Sequence, residues 1–548
     1  MSVTVVTGGA VGIGAAIAEE LGRQGVFVVT VDPGVAVDGT PGEGGAELST
    51  AQRIVDAGGT ARASNISVTD AAAVRGLFTD LVEEFGALDA VVNVAGISRP
   101  TGFAHGEERD WRAVLAVHLD GYLNVLRAAL PLMTAAGHGR ILGVTSGSGW
   151  RPADAGAYSC AKRAVAALTW RIGELTPPGV TVNALSPIAA TRMVLGALSR
   201  QAGAGNTSGR DAATGGVSLG LAAVPPPEHL GPVGAYLAGE EFSAWANGQI
   251  MFSNGAEVAW VVPPRLLEVA RTSDVGSLLP LLESLSANVL VPAEATQASN
   301  GGGNPRLGTA FGDAPLEARG VSTARAVIVS DVPAWATALG DALAARGVAC
   351  VTIDDPAHDF TGASAQLAAA GSDDPIAAVV LALASGDPAS SAGGPAWQRV
   401  LDEHDGIVDR IATDAAWTRA VADLAAATDC PIRVLTVVDA SHAGGGTRAQ
   451  AAAQLSRAAH AATGDRVDAL ALSIEAPSGN EPIGEIVSHL VCDADAGALS
   501  GAELVVGPDW FGLRSHPHPA GSVSFGGPAV PRWVDCALRE MVGVGEEG

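Results

Sequence analysis

The stretch VTVVTGGAVGIG, residues Val3 to Gly14, decides the fold of the first half of the chain. Val3 to Thr7 is a short apolar run typical of a buried strand, and three glycines follow it. Gly8, Gly12 and Gly14 let the backbone turn tightly and approach a pyrophosphate, and the helix predicted to begin there offers its N-terminal N–H groups to phosphates. A strand, a glycine-rich turn and a helix in this order predict a dinucleotide-binding unit.

An acidic residue follows the second apolar run, which extends from Val26 to Val31. Asp32 is expected at the carboxyl edge of the sheet, where its carboxylate accepts hydrogen bonds from ribose hydroxyls and repels a 2′-phosphate. The surrounding TVDPG contains no basic residue that would attract such a phosphate. The sequence therefore favours NAD over NADP, and a solvated loop carboxylate is the alternative role for Asp32.

Apolar runs typical of strands alternate with helical patterns from Val3 to about Val261, and the alternation resumes at Ala326. Continuous apolar strands separated by helices indicate parallel strands covered on both faces. The second series repeats the first in order, since RILGVTS at 140–146 is matched by RVLTVVD at 433–439. We therefore predict an α/β fold with two doubly wound, Rossmann-type parallel-sheet domains in tandem, arisen by duplication.

Composition divides the chain into four segments. Residues 1–262 form a dinucleotide-binding domain, 263–325 a Gly/Asn/Ala-rich linker or surface excursion, 326–513 a second Rossmann-like domain, and 514–548 a Pro/Gly-rich tail. The tail is expected to wrap a surface or a neighbouring subunit, and its His516-Pro-His518 sequence is expected to be a solvated loop rather than a metal site.

The overall composition excludes several classes of function. The chain has 548 residues and a formal net charge of −26, so we expect neither nucleic acid nor a membrane surface as a partner. Its five cysteines are scattered, which indicates neither a zinc site nor a disulfide framework, and we predict no metal. The N-terminus lacks a basic signal region and no apolar run is uniform enough to span a bilayer, which favours a soluble cytoplasmic protein.

The sequence YSCAK, Tyr158 to Lys162, contains the candidate acid/base. Three tyrosines and one lysine occur in the whole chain, and the lysine lies four residues after Tyr158, one helical turn away on the same face. A free phenol, with a pKa of about 10, is a poor base at neutral pH, and a nearby ammonium stabilises its phenolate. The pair indicates a tyrosine that exchanges a proton with an alcohol or carbonyl oxygen.

With these motifs, the stretch from Val3 to about Trp260 resembles a short-chain dehydrogenase/reductase. The resemblance rests on TGGAVGIG, Asp32, NVAG at 93–96, Ser146, YSCAK and SPIAATRM at 186–193. It implies NAD-dependent interconversion of a secondary alcohol and a ketone, in which the nicotinamide carries the hydride. Tyr158 is then the acid/base, Lys162 lowers its pKa and holds the nicotinamide ribose, and Ser146 orients the substrate oxygen.

The resemblance also implies a set of cofactor contacts. These are Gly8, Gly12, Ile13, Gly14, Asp32, Asn65, Ile66, Asn93, Ala95, Gly96, Tyr158, Lys162, Pro187, Ile188 and Thr191. Two positions depart from the family: Asn65 stands where an aspartate usually meets the adenine, and Ile188 where a glycine commonly follows the proline. Thr191 remains available to contact the carboxamide or a phosphate.

Two catalytic positions also depart from the family pattern. Ser146 lies twelve residues before Tyr158, where family members often show thirteen, so Ser148 is the alternative orienting serine. His118 stands where the family helix normally carries an asparagine that anchors a water in a proton relay. His118 can hold the same water, and a histidine that merely packs is the alternative. The His-Leu-x-Gly sequence at 118–121 resembles the hydroxyacyl-CoA dehydrogenases of multifunctional β-oxidation enzymes.

The second half lacks these catalytic residues. All three tyrosines precede residue 240, no lysine follows Lys162, and Asp439 replaces the serine. Its first turn, VSDVPAWATALG, has no glycine at the close-approach positions, so Asp354, which ends the second strand as Asp32 does, is expected to be a relic. The resemblance implies a degenerate domain that binds no dinucleotide. Because such enzymes pair through the helices before and containing the tyrosine, we expect an intrachain pseudo-dimer, with a homodimer of chains also open.

The substrate is a small molecule. Residues Leu195 to Pro227, which normally cover it, are long and poor in charge, and suggest a mobile lid over an apolar substrate such as a steroid or a 3-hydroxyacyl thioester. The alternative function is a non-catalytic dinucleotide-sensing or assembly subunit, and the intact Tyr158/Lys162 pair argues against it.

Overall fold

The computed structural model describes residues 2–42, 49–151, 154–193, 224–271, 324–372, 374–386, 393–475, 480–508 and 510–544. These residues form two largely parallel sheets, each flanked by helices. The predicted α/β class, with two Rossmann-type sheets in tandem, is confirmed.

The strands of the described residues are short and mostly buried. In chain order they are Val3–Thr7 (β1), Phe27–Val31 (β2), Thr60–Ser64 (β3), Ala90–Asn93 (β4), Gly139–Val144 (β5), Val180–Pro187 (β6), Ile250–Ser253 (β7), Glu257–Val262 (β8), Leu266–Arg271 (β9), Arg325–Val329 (β10), Ala349–Ile353 (β11), Ala378–Leu381 (β12), Ile432–Asp439 (β13), Val467–Ile474 (β14), Glu503–Val506 (β15), Trp510–Arg514 (β16) and His518–Ser524 (β17).

The helices cover both faces of each sheet. They are Gly12–Arg23 (α1), Thr50–Asp56 (α2), Ala71–Phe85 (α3), Glu108–Leu115 (α4), Gly121–Ala136 (α5), Gly156–Gly173 (α6), Gly231–Leu237 (α7), Glu240–Ser243 (α8), Pro333–Ala345 (α9), Phe360–Ala370 (α10), Ala396–Glu403 (α11), Ile407–Thr428 (α12), Ala443–Thr463 (α13), Asn480–Cys492 (α14) and Trp533–Val542 (α15).

The two sheets have the same internal order. The first sheet runs β3-β2-β1-β4-β5-β6-β7-β8-β17. The second, read in the same direction, runs β11-β10-β12-β13-β14-β15-β16-β9. If β3 is set aside, each strand of the second sheet has a counterpart at the same place in the first. The strands β1 to β7 are parallel to one another, so their carboxyl ends meet at one edge, where ligands bind in such folds.

Each half contributes one strand to the other's sheet. β9 pairs antiparallel with β16 of the second sheet, and β17 pairs antiparallel with β8 of the first. The segment 263–325 was expected to be a linker or surface excursion, which is wrong at Leu266–Arg271, since these residues form a strand of the second sheet. The expected tail 514–548 contains β17 and α15. Pairing an edge strand with a strand from far along the chain covers its open backbone groups, which explains the exchange physically.

Helices α4, α5 and α6 of the first half pack against α11, α12 and α13 of the second. One continuous set of buried apolar side chains extends from β1 through these helices to β14. The chain from Glu108 to Ala136 is long and apolar enough to cross a membrane by length and composition, but 67% of its most apolar window is buried inside the molecule. This stretch lies in the core between the two halves.

The C-terminal helix α15 docks on the first half rather than on the second. Val534 and Leu538 join the apolar cluster beside α1. The buried Asp535 carboxylate accepts hydrogen bonds from Tyr236 Oη at 2.7 Å and from Trp245 Nε1 at 2.9 Å. The end of the chain is therefore part of the first half's structure.

We expect Asp535→Ala to lower the free energy of unfolding by about 1–3 kcal/mol, because the half-buried Tyr236 hydroxyl and Trp245 indole N–H lose their acceptor. Thermal and denaturant unfolding of the full chain measure the change. Glu540→Ala, an exposed position on the same helix, is the matched control and should unfold as the wild type does. Equal stability of Asp535→Ala and the control would contradict this docking.

Candidate active site

The turn between β1 and α1 has the form that a phosphate group requires. Gly8 and Gly14 leave no room for a side chain, since a Cβ on Gly8 would come within 2.8 Å of Ala95 N and one on Gly14 within 2.2 Å of Gly8 O. Gly12 differs: its φ is +61°, and a Cβ there would meet only Thr191 Cγ2, at 3.8 Å. The backbone at Gly12 therefore faces open space, as close approach of a pyrophosphate demands.

The N-terminus of α1 is free to bind an anion. Val11 occupies the N-cap position, and in the described structure no side chain makes a capping hydrogen bond there. The first turn of the helix contains no acidic residue. Uncapped N–H groups and the positive end of the helix dipole then point at the turn. The donor set around Gly8, Gly12, Ile13 and Gly14 fits a dinucleotide phosphate.

Asp32 lies directly after β2, at the carboxyl edge of the sheet, and is half-buried. Its Oδ1 accepts a hydrogen bond from Gly34 N at 2.9 Å, which orients the carboxylate and leaves Oδ2 for another donor. Asn65 and Ile66 follow β3 at the same edge, Asn65 exposed and Ile66 half-buried. The fold thus brings the predicted adenosine contacts to one side of the glycine turn.

A buried hydrogen-bond chain fixes the end of β4. Thr7 Oγ1 donates to Asn93 Oδ1 at 2.7 Å and accepts from Ala95 N at 3.2 Å. Gly96 packs so closely on the imidazole of His118 that a Cβ there would lie 2.4 Å from His118 Cε1. Asn93, Ala95 and Gly96 therefore hold the strand end against the phosphate turn and His118.

The start of α6 places Tyr158 in the site. Gly156, at φ +50°, lies against Thr101 O, which a Cβ would approach to 1.5 Å, so the helix can begin only with glycine there. Tyr158 follows two residues later. A hydrogen bond with the Ser146 hydroxyl lowers the Tyr158 pKa, but burial is the larger effect and raises it. Of the two candidate serines, the geometry favours Ser146, and Ser148 N donates to Ser146 Oγ at 3.3 Å.

Lys162 is buried one turn beyond Tyr158. Its Nζ lies 5.8 Å from the centroid of the Tyr158 ring and donates to Val144 O at 2.6 Å. Burial lowers the pKa of Lys162 to about 7, because the ammonium is removed from water. The side chain can therefore take or give a proton near neutral pH.

His118 completes the cluster from a π-helical turn, Ala116–Asp120, between α4 and α5. Its ring lies edge-on to Tyr158, with 5.1 Å between centroids. Nε2 lies 2.9 Å from Ile97 O and 3.2 Å from Ile97 N, and the buried Nδ1 has no hydrogen-bond partner among the described residues. Burial and the nearby Lys162 charge lower the His118 pKa to about 3, so the imidazole is neutral.

The end of β6 approaches the glycine turn from the other side. Ile188 N donates to Ser253 O at 3.0 Å, which continues the ladder past Pro187. Thr191 lies next to Gly12, as the 3.8 Å contact above indicates. Thr191 therefore lies beside the glycine turn, and Pro187 and Ile188 lie at the end of β6. Most of the predicted lid, Leu195 to Pro227, lies outside the described residues.

Comparison with known proteins agrees with this geometry. Residues 2–200 match the family described as short chain dehydrogenase. The chain is 35% identical over 256 residues to the short-chain reductase protein NovJ of Streptomyces niveus, which covers 46% of this chain and 93% of that protein. The chain belongs to the short-chain dehydrogenase family. The family predicted from the motifs is therefore confirmed.

A second relative is named for a cyclic alcohol. Over 189 residues the chain is 39% identical to cis-4-hydroxycyclohexanecarboxylate dehydrogenase of Sinomonas cyclohexanicum, a match that covers 34% of this chain and 72% of that protein. Both matches are shorter than the present chain, and the short-chain dehydrogenase family accounts for its first half.

The tandem arrangement is shared with a solved structure. The N-domain of a bacterial malonyl-CoA reductase, determined with NADP, superposes with a TM-score of 0.61 over 92% of this chain and 97% of that one. Sequence identity is 17%, so the likeness concerns the fold alone. It nevertheless extends over both halves of this short-chain dehydrogenase.

The corresponding site in the second half differs at each step. Only Ser330, Asp331 and Val332 separate β10 from α9, and Pro333 occupies the first helical turn, where it provides no N–H. Asp331 Oδ1 accepts from Ala384 N at 2.7 Å, so a carboxylate lies near the turn. A short turn with an acid and a proline is a poor phosphate site.

An ion pair is buried at the neighbouring strand end of the second half. Arg448 bonds through two nitrogens to Asp414, at 2.8 and 2.6 Å, and donates to Leu383 O and Ala384 O, which follow β12 as Ala95 and Gly96 follow β4. The Arg448 guanidinium thus hydrogen-bonds the backbone carbonyls at this strand end, where the first half has its candidate ligand site.

A repeat that the sequence reasoning missed links the two halves. The pattern Trp-x-x-Val-Leu-x-x-His occurs at 111–118 and again at 397–404. His404 is buried like His118, and its Nε2 lies 2.8 Å from Thr447 Oγ1, while Nδ1 donates to Val400 O at 2.6 Å. Comparing the halves helix by helix, rather than strand by strand, would have found it.

The buried His404 predicts acid sensitivity. Burial lowers its pKa from about 6.5 to about 4, so between these values the unfolded chain binds a proton that the folded chain excludes. The contribution of His404 is fully present above pH 6.5 and is lost as the pH falls, by at most about 1.4 kcal/mol per pH unit.

We expect the unfolding free energy of His404→Gln, measured by denaturant titration from pH 7 to pH 4, to depend less steeply on pH than that of the wild type. His105→Gln, at an exposed position, should keep the wild-type slope. A slope for His404→Gln as steep as that of the wild type would contradict the burial of a neutral His404.

Proposed function

We propose that this short-chain dehydrogenase is an NAD-dependent oxidoreductase that interconverts a secondary alcohol and a ketone, with Tyr158 as acid/base. The observation that carries the proposal is the cluster of half-buried Ser146 and Tyr158 with buried Lys162 and His118, beside an open glycine turn. When bound, the dinucleotide supplies the acceptor or donor of the hydride.

Ser146 and Tyr158 handle the substrate oxygen. In the oxidation direction, Tyr158 Oη accepts the hydroxyl proton of the alcohol while Ser146 Oγ holds that oxygen in place. In reduction, Tyr158 returns the proton to the carbonyl oxygen. Burial favours the neutral phenol, and a charged Lys162 5.8 Å from the ring stabilises the phenolate when it forms.

Lys162 and His118 provide a route for the proton. Lys162, with a pKa of about 7, is suited to pass a proton at neutral pH. His118 is held neutral beside the Tyr158 ring, and its Nδ1 makes no hydrogen bond within the described residues. This supports a relay role for His118 in place of the family's asparagine, rather than packing alone.

The proposal extends to cofactor, substrate, location and assembly. Asp32 supports NAD over NADP, since the 2′-phosphate of NADP would place a negative charge against the Asp32 carboxylate. The segment Leu195 to Pro227, which contains few charges, supports an apolar substrate of the steroid or 3-hydroxyacyl thioester type. The acidic composition, which disfavours binding to anionic membranes, supports a cytoplasmic location. The packing of α4, α5 and α6 on α11, α12 and α13 supports an intrachain pseudo-dimer that takes the place of a homodimer.

Tyr158→Phe tests the function directly. With a panel of secondary alcohols, we expect NAD reduction, followed by absorbance, to fall about 10²–10⁴-fold in kcat, because the proton loses its acceptor. Tyr122→Phe is the matched control, since Tyr122 is buried but bonds to Thr169 Oγ1 at 3.1 Å, away from the site. Equal turnover by Tyr158→Phe and the wild type would exclude the proposed mechanism, and NAD binding without any turnover would favour a dinucleotide-sensing subunit.

Asp32→Ser tests the choice of cofactor. We expect the ratio of kcat/KM for NAD to that for NADP to fall at least about tenfold, because the ribose hydroxyls lose a carboxylate and a 2′-phosphate no longer faces a like charge. Asp38→Ser, six residues further along the same loop, should leave the ratio unchanged. A wild type that uses NADP better than NAD would overturn the assignment of Asp32.

A further inference from the structure

The turn that carries Ser146 is held by a side chain from the second half of the chain. Gln454 of α13 is fully buried, and its Nε2 donates to Arg151 O at 2.8 Å and to Ser148 O at 3.2 Å. Ser148 lies within the short turn Gly147–Gly149 that follows Ser146, and Arg151 lies two residues beyond that turn. One amide group therefore fixes the backbone between β5 and α6.

Gln454 is itself held from α6. Its Oε1 lies 3.4 Å from a terminal nitrogen of Arg163, the residue after Lys162. The Arg163 guanidinium is fully buried and bonds to three further groups of the second half. They are Glu503 at 2.8 Å, Gln450 at 3.0 Å and His516 at 3.0 Å.

His516 corrects an expectation from the sequence. The His516-Pro-His518 sequence was expected to be a solvated loop, but the His516 side chain is fully buried. Its Nε2 donates to Gly501 O at 3.0 Å, which leaves Nδ1 to accept from Arg163. The segment between β16 and β17 thus completes the arginine's surroundings.

The opposite side of the turn rests on α6. A Cβ on Gly149 would come within 2.9 Å of Arg163 N and 3.1 Å of Lys162 C, so the turn lies directly on the helix backbone. The turn after Ser146 is therefore held between the backbone of α6 and the Gln454 amide.

We propose that Gln454, held by Arg163 and Glu503, is a positioning residue for Ser146, so that the second half of the chain acts on the chemistry of the first. The inference rests on the proposed function, in which Ser146 and Tyr158 handle the substrate oxygen. A catalytic hydroxyl is effective only when its supporting hydrogen bonds hold it within a fraction of an ångström, and a displacement of about 1 Å costs about 10²-fold in rate.

The buried ion pair indicates why this contact is specific. The side chains of Arg163 and Glu503 are 0% and 1% exposed. Removing these two charges from water costs free energy, whereas purely apolar packing of α6 on α13 would carry no such cost. We expect this pair, which joins α6 to β15, to fix the position of α6 against the second half. That position places the Gln454 amide opposite the carbonyls of Ser148 and Arg151.

Two variants of the full chain test the proposal. Gln454→Glu still accepts from Arg163 but donates to neither carbonyl, and Gln454→Met fills the same volume without either bond. Arg127→Gln is the control, since Arg127 makes an equivalent contact between the halves, to Leu401 O at 2.8 Å and to Asp405, away from the turn.

We expect both Gln454 variants to lose about tenfold or more in kcat with an unchanged KM for NAD. The rising limb of their kcat–pH profile should also move to higher pH, because Tyr158 loses the Ser146 hydrogen bond that lowers its pKa. Arg127→Gln should match the wild type in both measurements. Wild-type kcat and an unmoved limb in both Gln454 variants would overturn the proposal.

Hydrogen exchange separates this proposal from the proposed function. In the peptide covering 146–151, amide exchange should be faster in both Gln454 variants than in the wild type and in Arg127→Gln, whether or not any alcohol is turned over. Unchanged exchange in that peptide would overturn the positioning role. A wild type inactive on every alcohol but with the expected exchange pattern would count against the proposed function and leave the positioning of the turn supported.

Discussion

The packing of α6 against α13 is the contact on which the rest of the structure depends. From Gly156 to Gly173, α6 is buried on nearly every side: one face carries Tyr158 and Lys162 toward the strand ends, and the other meets the second half. A helix buried all round needs a partner surface. The second half supplies that surface within the same chain, and the exchanged strands β9 and β17 connect the two halves a second time.

The two halves show which features of this fold serve structure and which serve chemistry. Strand order, the apolar helix interface and the buried histidines His118 and His404 are present in both. The glycine turn, the tyrosine and the lysine are present in the first half alone. In the second, a proline-containing turn and the Arg448–Asp414 pair occupy the corresponding positions. The second half thus keeps the apolar packing of the first. In place of the ligand-binding groups it has polar groups that hydrogen-bond to one another.

Local pattern sufficed to predict much of this molecule. The continuous apolar runs predicted the parallel strands, and the glycine spacing placed the turn that faces open space at Gly12. The i,i+4 spacing of Tyr158 and Lys162 placed both on one face, because helical geometry is local. The family assignment followed from these motifs and is supported over the first half of the chain.

Contacts between distant parts of the chain were not predictable in the same way. The strands β9 and β17 pair with edges far along the chain, and their short, mixed sequences resemble loops. Gln454 lies in an alanine-rich helix, where nothing in the local pattern distinguishes it from a solvated glutamine. Asp535 likewise depends on Tyr236 and Trp245, about 300 residues earlier. Such polar contacts require the tertiary structure, whereas the Trp-x-x-Val-Leu-x-x-His repeat was visible in the sequence.

We infer that this chain, although it contains two Rossmann-type folds, has one dinucleotide-binding site, and that this site lies in its first half. Isothermal titration calorimetry of the full chain with NAD tests it most directly. We expect one NAD bound per chain. A stoichiometry of two would contradict it, because the second half would then bind a dinucleotide without a glycine turn, and the absence of binding would contradict the assignment of the first half.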